Sequence, residues 1–277
     1  MIDPKEVITQ IHDKIEDLSG TTECNKPFLS IFYALYSAVT SDKPAFNRAS
    51  ELLSELTGRQ DNSPWFYNGW QGVYWSILYL NDKGLIDLNN NLRERILMFL
   101  NKFEASWGQI PNELYPSSFI WGDSLLLMSM WAEDLSYTRY LIEERIIMRL
   151  DCAEKYLDEV AEKLNYTFFN LMGCCSLIAF CVDNGIFPVK AEMLLSKAII
   201  LSNQLPNEEK KMLKCLCACE DTIYKYAVQL DQSIYPFIFN LKNLKYEFKV
   251  STDEITKCPN LDWLICYGIL ILNNLEL

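Results

Sequence analysis

Gly69-Trp70-Gln71-Gly72-Val73-Tyr74-Trp75-Ser76-Ile77-Leu78-Tyr79-Leu80-Asn81-Asp82-Lys83-Gly84-Leu85-Ile86 is the stretch on which the fold turns. From Val73 to Leu80 it offers almost no polar face. A helix here has to be buried on most sides. Asn81-Asp82-Lys83-Gly84 then reads as a turn, since Asn and Asp satisfy local backbone groups and Gly accepts positive φ. The following segment, Leu88–Phe103, is amphipathic. An apolar helix, a turn and a two-faced helix make a hairpin whose first member needs cover.

The same theme recurs along the chain. Phe28–Thr40 is apolar and Ala45–Leu56 more polar. Phe119–Ala132 precedes the long polar stretch Thr138–Leu164, and Leu171–Val182 precedes Val189–Leu201. Residues 208–229 give one long helix or two short ones, and an apolar helix lies near Leu261–Asn273. The first helix has its own start signal: Asp3 to cap, Pro4 at the first helical position, and Glu6 to complete a capping box. Val7, Ile11, Ile15 and Leu18 form its apolar stripe, and Gly20 is placed to end it at positive φ. Residues 234–260 fit the theme poorly, and 246–250 alternate like a short strand.

Register can be tested directly. A shift of 101 residues takes Gly72 to Gly173, Asp82 to Asp183 and Gly84 to Gly185, and Leu85-Ile86 onto Ile186-Phe187. A shift of −40 takes Asp82-Lys83 to Asp42-Lys43, and one of +50 takes Gly72 to Gly122. Gly268 lies 95 residues beyond Gly173, while no glycine occupies the intervening unit near Cys219–Thr222. The implied spacing of 40 to 51 residues suits a helical hairpin repeat. The expected fold is all-α: one domain over 1–277, an α/α toroid whose apolar inner helices are ringed by amphipathic outer ones. Glycines at the start of the inner helices let neighbouring backbones approach closely. An irregular bundle or an open solenoid is the competing arrangement.

Half of the 277 residues are apolar and 13% aromatic, ample for a large core. The formal charge of −12 disfavours nucleic acid and anionic membrane surfaces alike. The N-terminus has no signal-peptide pattern. The longest apolar runs, Leu171–Val182 and Leu264–Leu272, fall short of the roughly 20 residues that cross a bilayer. The expected location is therefore cytoplasmic. There the ten cysteines read best as free thiols that pack like small hydrophobes. No pair has CxxC spacing.

The stretch Phe66–Ile86 resembles the lanthionine synthetase C-like family. Gly69, Gly72, Val73, Trp75, Tyr79, Leu80 and Gly84 carry the likeness: a Gly-x-x-Gly opening, an apolar helix with Tyr-Leu near its end, then an Asn-Gly-like turn. Gly173–Gly185 carries a weaker copy. The resemblance implies an α/α toroid around a central cavity, here with fewer hairpins than usual because the chain is short. It also implies a chemistry: addition of cysteine thiols across dehydrated serine or threonine in a peptide. The zinc for that reaction is held by two cysteines and one histidine, the last in a Cys-His pair. Zinc suits it because it stabilises thiolate at neutral pH. This sequence departs from the pattern. Its one histidine is His12, in the first helix, and no histidine follows Cys174-Cys175. Cys174 and Cys175 remain the candidate metal ligands, and no cofactor is expected.

Other chemistry is thinly signalled. The chain has no phosphate-binding glycine loop, no Rossmann fingerprint and no Gly-x-Ser-x-Gly elbow. Many α/α toroids act on sugars through paired acids. Asp123, after Trp121-Gly122 at an apolar-helix start, is the candidate catalytic acid, although an acid there also suits the helix dipole without any function. Asp82 and Asp183 read as solvated turn residues or caps. Aromatics cluster at two helix openings, and Tyr67, Trp70, Trp75 and Trp121 are the candidate binding residues. The competing role for them is filling a core. Three functions stay open: a catalytically degenerate member of the family that binds a peptide or partner protein, a carboxylate-dependent toroid enzyme acting on carbohydrate or peptide, and a helical scaffold.

Overall fold

The computed structural model describes residues 3–20, 22–58, 69–96, 98, 126–131, 139–164, 166, 168–206, 255, 257–258 and 261–275. The eight helices used below are α1 (Pro4–Ser19), α2 (Lys26–Thr40), α3 (Lys43–Gly58), α4 (Trp70–Asp82), α5 (Arg139–Lys163), α6 (Phe168–Asp183), α7 (Pro188–Ser202) and α8 (Leu261–Asn274). Residues 90–96 and 126–131 are also helical. Among the described residues there is no strand, and no helix long and apolar enough to cross a membrane. The alternation at 246–250 and the helix expected within 208–229 lie outside the described residues.

Short polar side chains start α1, α2, α3 and the helical segment 90–96. Asp3 accepts from the Lys5 N–H at 3.0 Å, with Pro4 opening α1. Asn25 accepts from the Phe28 N–H at 3.2 Å, Asp42 from Ala45 at 3.3 Å, and Asn89 from Leu92 at 2.9 Å. Each satisfies an N–H that has no partner within its own helix. Gly20 differs from expectation. Its φ is −76°, so α1 ends in right-handed geometry and needs no glycine there.

The shift of 101 residues has a physical counterpart. Gly84 and Gly185 both adopt left-handed conformations, with φ of +67° and +64°. After α4, Leu85 N–H reaches Leu80 C=O at 2.9 Å and Gly84 N–H reaches Asn81 C=O at 2.9 Å. After α6, Ile186 N–H reaches Cys181 C=O at 2.8 Å and Gly185 N–H reaches Val182 C=O at 3.2 Å. Both pairs are the six-to-one and five-to-two bonds of a Schellman ending. Asp82 and Asp183 end their helices and are exposed. The shift of −40 has no such counterpart, because Asp42 starts α3 whereas Asp82 ends α4.

The helices sort into two kinds. In α2 every residue from Pro27 to Tyr36 is buried, and in α4 every residue from Gln71 to Leu80. α1 buries only Val7, Ile8, Ile11 and Ile15, and α3 only Ala45, Ala49, Leu52 and Leu56. The apolar helices α8, α2 and α4 run parallel. Asn25 N–H at the start of α2 donates to Asp262 at the start of α8, at 2.7 Å. Gly268 midway along α8 faces Phe32 midway along α2. Tyr79 near the end of α4 donates to Asn273 at the end of α8, at 2.6 Å. α1 runs antiparallel to α2: His12 stacks on Tyr36, while Glu16, farther along α1, accepts from Tyr33, which lies earlier in α2. α3 packs against α2 as its hairpin partner.

α8 therefore relates to α1 as α2 does to α3: an apolar helix covered by an amphipathic one. A second group repeats the hairpin. α6 packs on both α5 and α7, and α5 and α7 run parallel. Lys190 bonds to Asp151, and seven residues on, Lys197 bonds to Asp158 at 2.9 Å, an identical offset of 39. Buried side chains of all eight helices belong to one hydrophobic cluster.

Candidate functional site

α4 opens without a side-chain cap, because Gly69 stands at that position with φ −110° and ψ −177°. Trp70 follows, half-buried, with its ring 5.2 Å from that of Tyr74. Trp75 points the other way and has no exposed surface. Its ring lies 5.4 Å from Phe28 and 5.3 Å from Tyr79. Trp75 thus packs α4 against α2, and Trp70 is the described candidate with surface to offer a ligand. Tyr67, Trp121 and Asp123 lie outside the described residues.

The thiols of α6 sit in the core. Cys174 and Cys175 have no exposed surface, and Cys174 Sγ lies 3.9 Å from the Ala153 carbonyl of α5. Burial pushes the Cys181 thiol up to about 12, and the Cys24 thiol up to about 11, where the Asp262 carboxylate adds to the effect. Cys266 is raised for the same reasons. A raised thiol is a poor nucleophile and a poor metal ligand at neutral pH. Every described cysteine is a free thiol. Among the described residues, no group of three or more His, Cys, Asp or Glu side chains is placed to hold a metal ion.

His12 is half-buried in an aromatic nest at the seam of α1 and α2. Its ring is stacked on Tyr36 at 4.2 Å, with an interplanar angle of 11°, and meets Tyr33 edge-on at 6.1 Å. Its Nδ1 lies 3.3 Å from an Asp13 carboxylate oxygen. Burial raises the Tyr33 and Tyr36 hydroxyls above their ordinary value, and Glu16 adds to the effect at Tyr33. The chain's one imidazole is thus used in packing.

Sequence reading missed the polar ties of α8: Asp262 to the Asn25 backbone, and Asn273 to Tyr79. The available signal was an Asp and an Asn at the two ends of an otherwise apolar helix. Such residues read as caps until a partner from another part of the chain is placed beside them. The chain matches no family model, no curated protein and no solved structure.

Proposed function

We propose that the chain is a catalytically degenerate member of the lanthionine synthetase C-like family, with an α/α-toroid fold, that binds a peptide or partner protein in a peptide-modification pathway. The closed-ring half is supported by the pairing of α8 with α1, which makes one hairpin from segments distant in sequence. One observation carries the non-catalytic half. The single histidine is committed to an aromatic stack, and the adjacent thiols of α6 are sealed in the core. Neither is presented where thiolate and imidazole could hold zinc together. Trp70, half-buried at the opening of α4, is the residue assigned to ligand contact.

The test uses a synthetic peptide carrying cysteine and dehydroalanine. Protein expressed with added zinc is expected to retain far less than one zinc per chain and to leave the rate of thiol addition unchanged. The peptide is expected to bind, and Trp70→Ala to weaken binding with folding intact. One zinc per chain together with accelerated cyclisation sinks the degenerate reading. Failure of every cysteine- and serine-containing peptide to bind moves the assignment to a scaffold.

A scaffold is the second reading, and one observation favours it. The Tyr79–Asn273 bond draws the ends of α4 and α8 together although both flank α2. Such convergence at one end leaves less room for a ligand between these helices. The carboxylate-enzyme alternative rests on Asp123, outside the described residues.

A further inference from the structure

Asn184-Gly185 closes α6; the asparagine of the chain's other Asn-Gly pair, Asn68-Gly69, lies outside the described residues. An Asn-Gly pair carries its own chemistry. Glycine has no side chain to shield its backbone nitrogen, so that nitrogen can attack the amide carbon of the asparagine before it. Asp183, Asn184 and Gly185 are all exposed, so water reaches them.

The folded chain restrains both reacting groups. Gly185 N–H donates to the Val182 carbonyl at 3.2 Å. Asn184 Nδ2 donates to the Phe180 carbonyl at 2.8 Å, where the Asn184 backbone N–H also donates, at 3.1 Å. Nucleophile and amide are thus both tied to the last turn of α6. Helix ends open locally at far lower cost than the core. Reaction then waits on opening of this ending, not on unfolding of the chain.

The matching ending after α4 shows what the position does for a helix. The shift of 101 residues takes Lys83 to Asn184 and Tyr79 to Phe180. Lys83 sets a cation at the end of α4, with Nζ 5.8 Å from the centre of the Tyr79 ring. The helix dipole favours positive charge there. Asn184 is neutral and serves α6 through its amide N–H. An aspartate in its place has no N–H to donate, and its charge opposes the dipole beside Asp183.

We propose that Asn184 is a site of spontaneous deamidation in the native chain, and that the product loosens the end of α6 where it turns into α7. Gly185 N gives its proton to solvent and bonds to Asn184 Cγ. The Cγ–Nδ2 bond breaks, and Nδ2 takes a proton from solvent and leaves as ammonia. Water then opens the succinimide. Attack at Cγ gives aspartate, attack at the backbone carbonyl carbon gives isoaspartate, and Gly185 N regains a proton in either case. The net change is one water taken up and one ammonia released. Isoaspartate also lengthens the backbone by a methylene, so Gly185 and Ile186 can no longer close their bonds in the same register. The site is separate from Trp70, and the inference does not rest on the reading of the ring.

The full chain is incubated in mildly alkaline buffer, folded and in strong denaturant, and position 184 is followed by fragmentation mass spectrometry. Aspartate and isoaspartate are expected at 184 in the folded chain, forming at least about tenfold more slowly than in the unfolded one. Urea below the unfolding midpoint is expected to speed the folded reaction. Asn184→Asp is expected to lower the thermal midpoint by about 2–4 °C. Asn184→Lys, the side chain of the matching ending, is expected to hold it. No product at 184 in the folded chain, while the unfolded chain converts, overturns the inference. So does an Asn184→Asp midpoint equal to that of the unaltered chain, or an equal fall in Asn184→Lys, which would remove the role of the charge.

Discussion

Gly268 shows what one hydrogen atom in place of a methyl group can hold together. A Cβ built there would sit 2.7 Å from Phe32 Cδ2, closer still to Cε2, and 3.2 Å from Ile11 Cγ2. Phe32 and Ile11 are fully buried, so neither can swing aside. Gly268→Ala is therefore expected to destabilise the chain by about 1–3 kcal/mol through overpacking. Denaturant unfolding measures it, and an unchanged midpoint would show that the α1–α2–α8 crossing has slack. Sequence reading used Gly268 as a register mark and expected close-approach glycines at helix starts, whereas Gly268 lies midway along α8. That reading did not identify the neighbours, because Ile11 and Phe32 come from helices at the other end of the chain.

The hairpin is the element that sequence reading recovers best. Of the expected segments, Phe28–Thr40, Ala45–Leu56, Gly69–Asn81, Thr138–Leu164, Leu171–Val182, Val189–Leu201 and Leu261–Asn273 lie within a few residues of the observed α2 to α8. Their apolar content and their Asn, Asp and Gly stops are local signals. Local chemistry also explains why the 101-residue shift is physical, since Gly84 and Gly185 close identical bonding patterns in left-handed geometry. Added methyl groups would meet nothing within 4 Å at either site, so only the backbone conformation resists them. Gly84→Ala and Gly185→Ala should then each cost about 1–2 kcal/mol. The two costs should match and add. Unequal penalties in thermal or denaturant unfolding would mean the two endings are not equivalent. What stayed hidden was the candidate site. Trp70 and Trp75 look alike in sequence, and only the placement of Phe28 and Tyr79 turns one into core and leaves the other half-exposed.

For the whole molecule, burial of weak acids sets the response to alkali. The folded chain holds Cys24 at about 11 and Cys181 at about 12, and raises Cys266, Tyr33 and Tyr79 as well, in each case chiefly by desolvation. The unfolded chain releases those protons at the ordinary thiol and phenol values of 9.0 and 10.0. Above pH 9 the unfolded state therefore binds fewer protons than the folded one, and stability falls as pH rises. Below that range these groups are protonated in both states and contribute no slope. The unfolding midpoint is expected to be insensitive to them near neutrality and to drop steadily from about pH 9 to 11. A midpoint that held through that window would mean these side chains reach water in the folded state.

The tie between Asn25 and Asp262 spans 237 positions of the chain. A ribosome adding about 5–20 residues per second delivers α2 roughly 10–50 s before the helix that seats against it exists. During that interval the side of Phe32 that later meets Gly268 has no mate, and neither does the stripe of Ile11. Nascent chains stalled ahead of residue 261 should accordingly recruit chaperones that recognise exposed apolar surface. Release of the last helix is then the event that frees them.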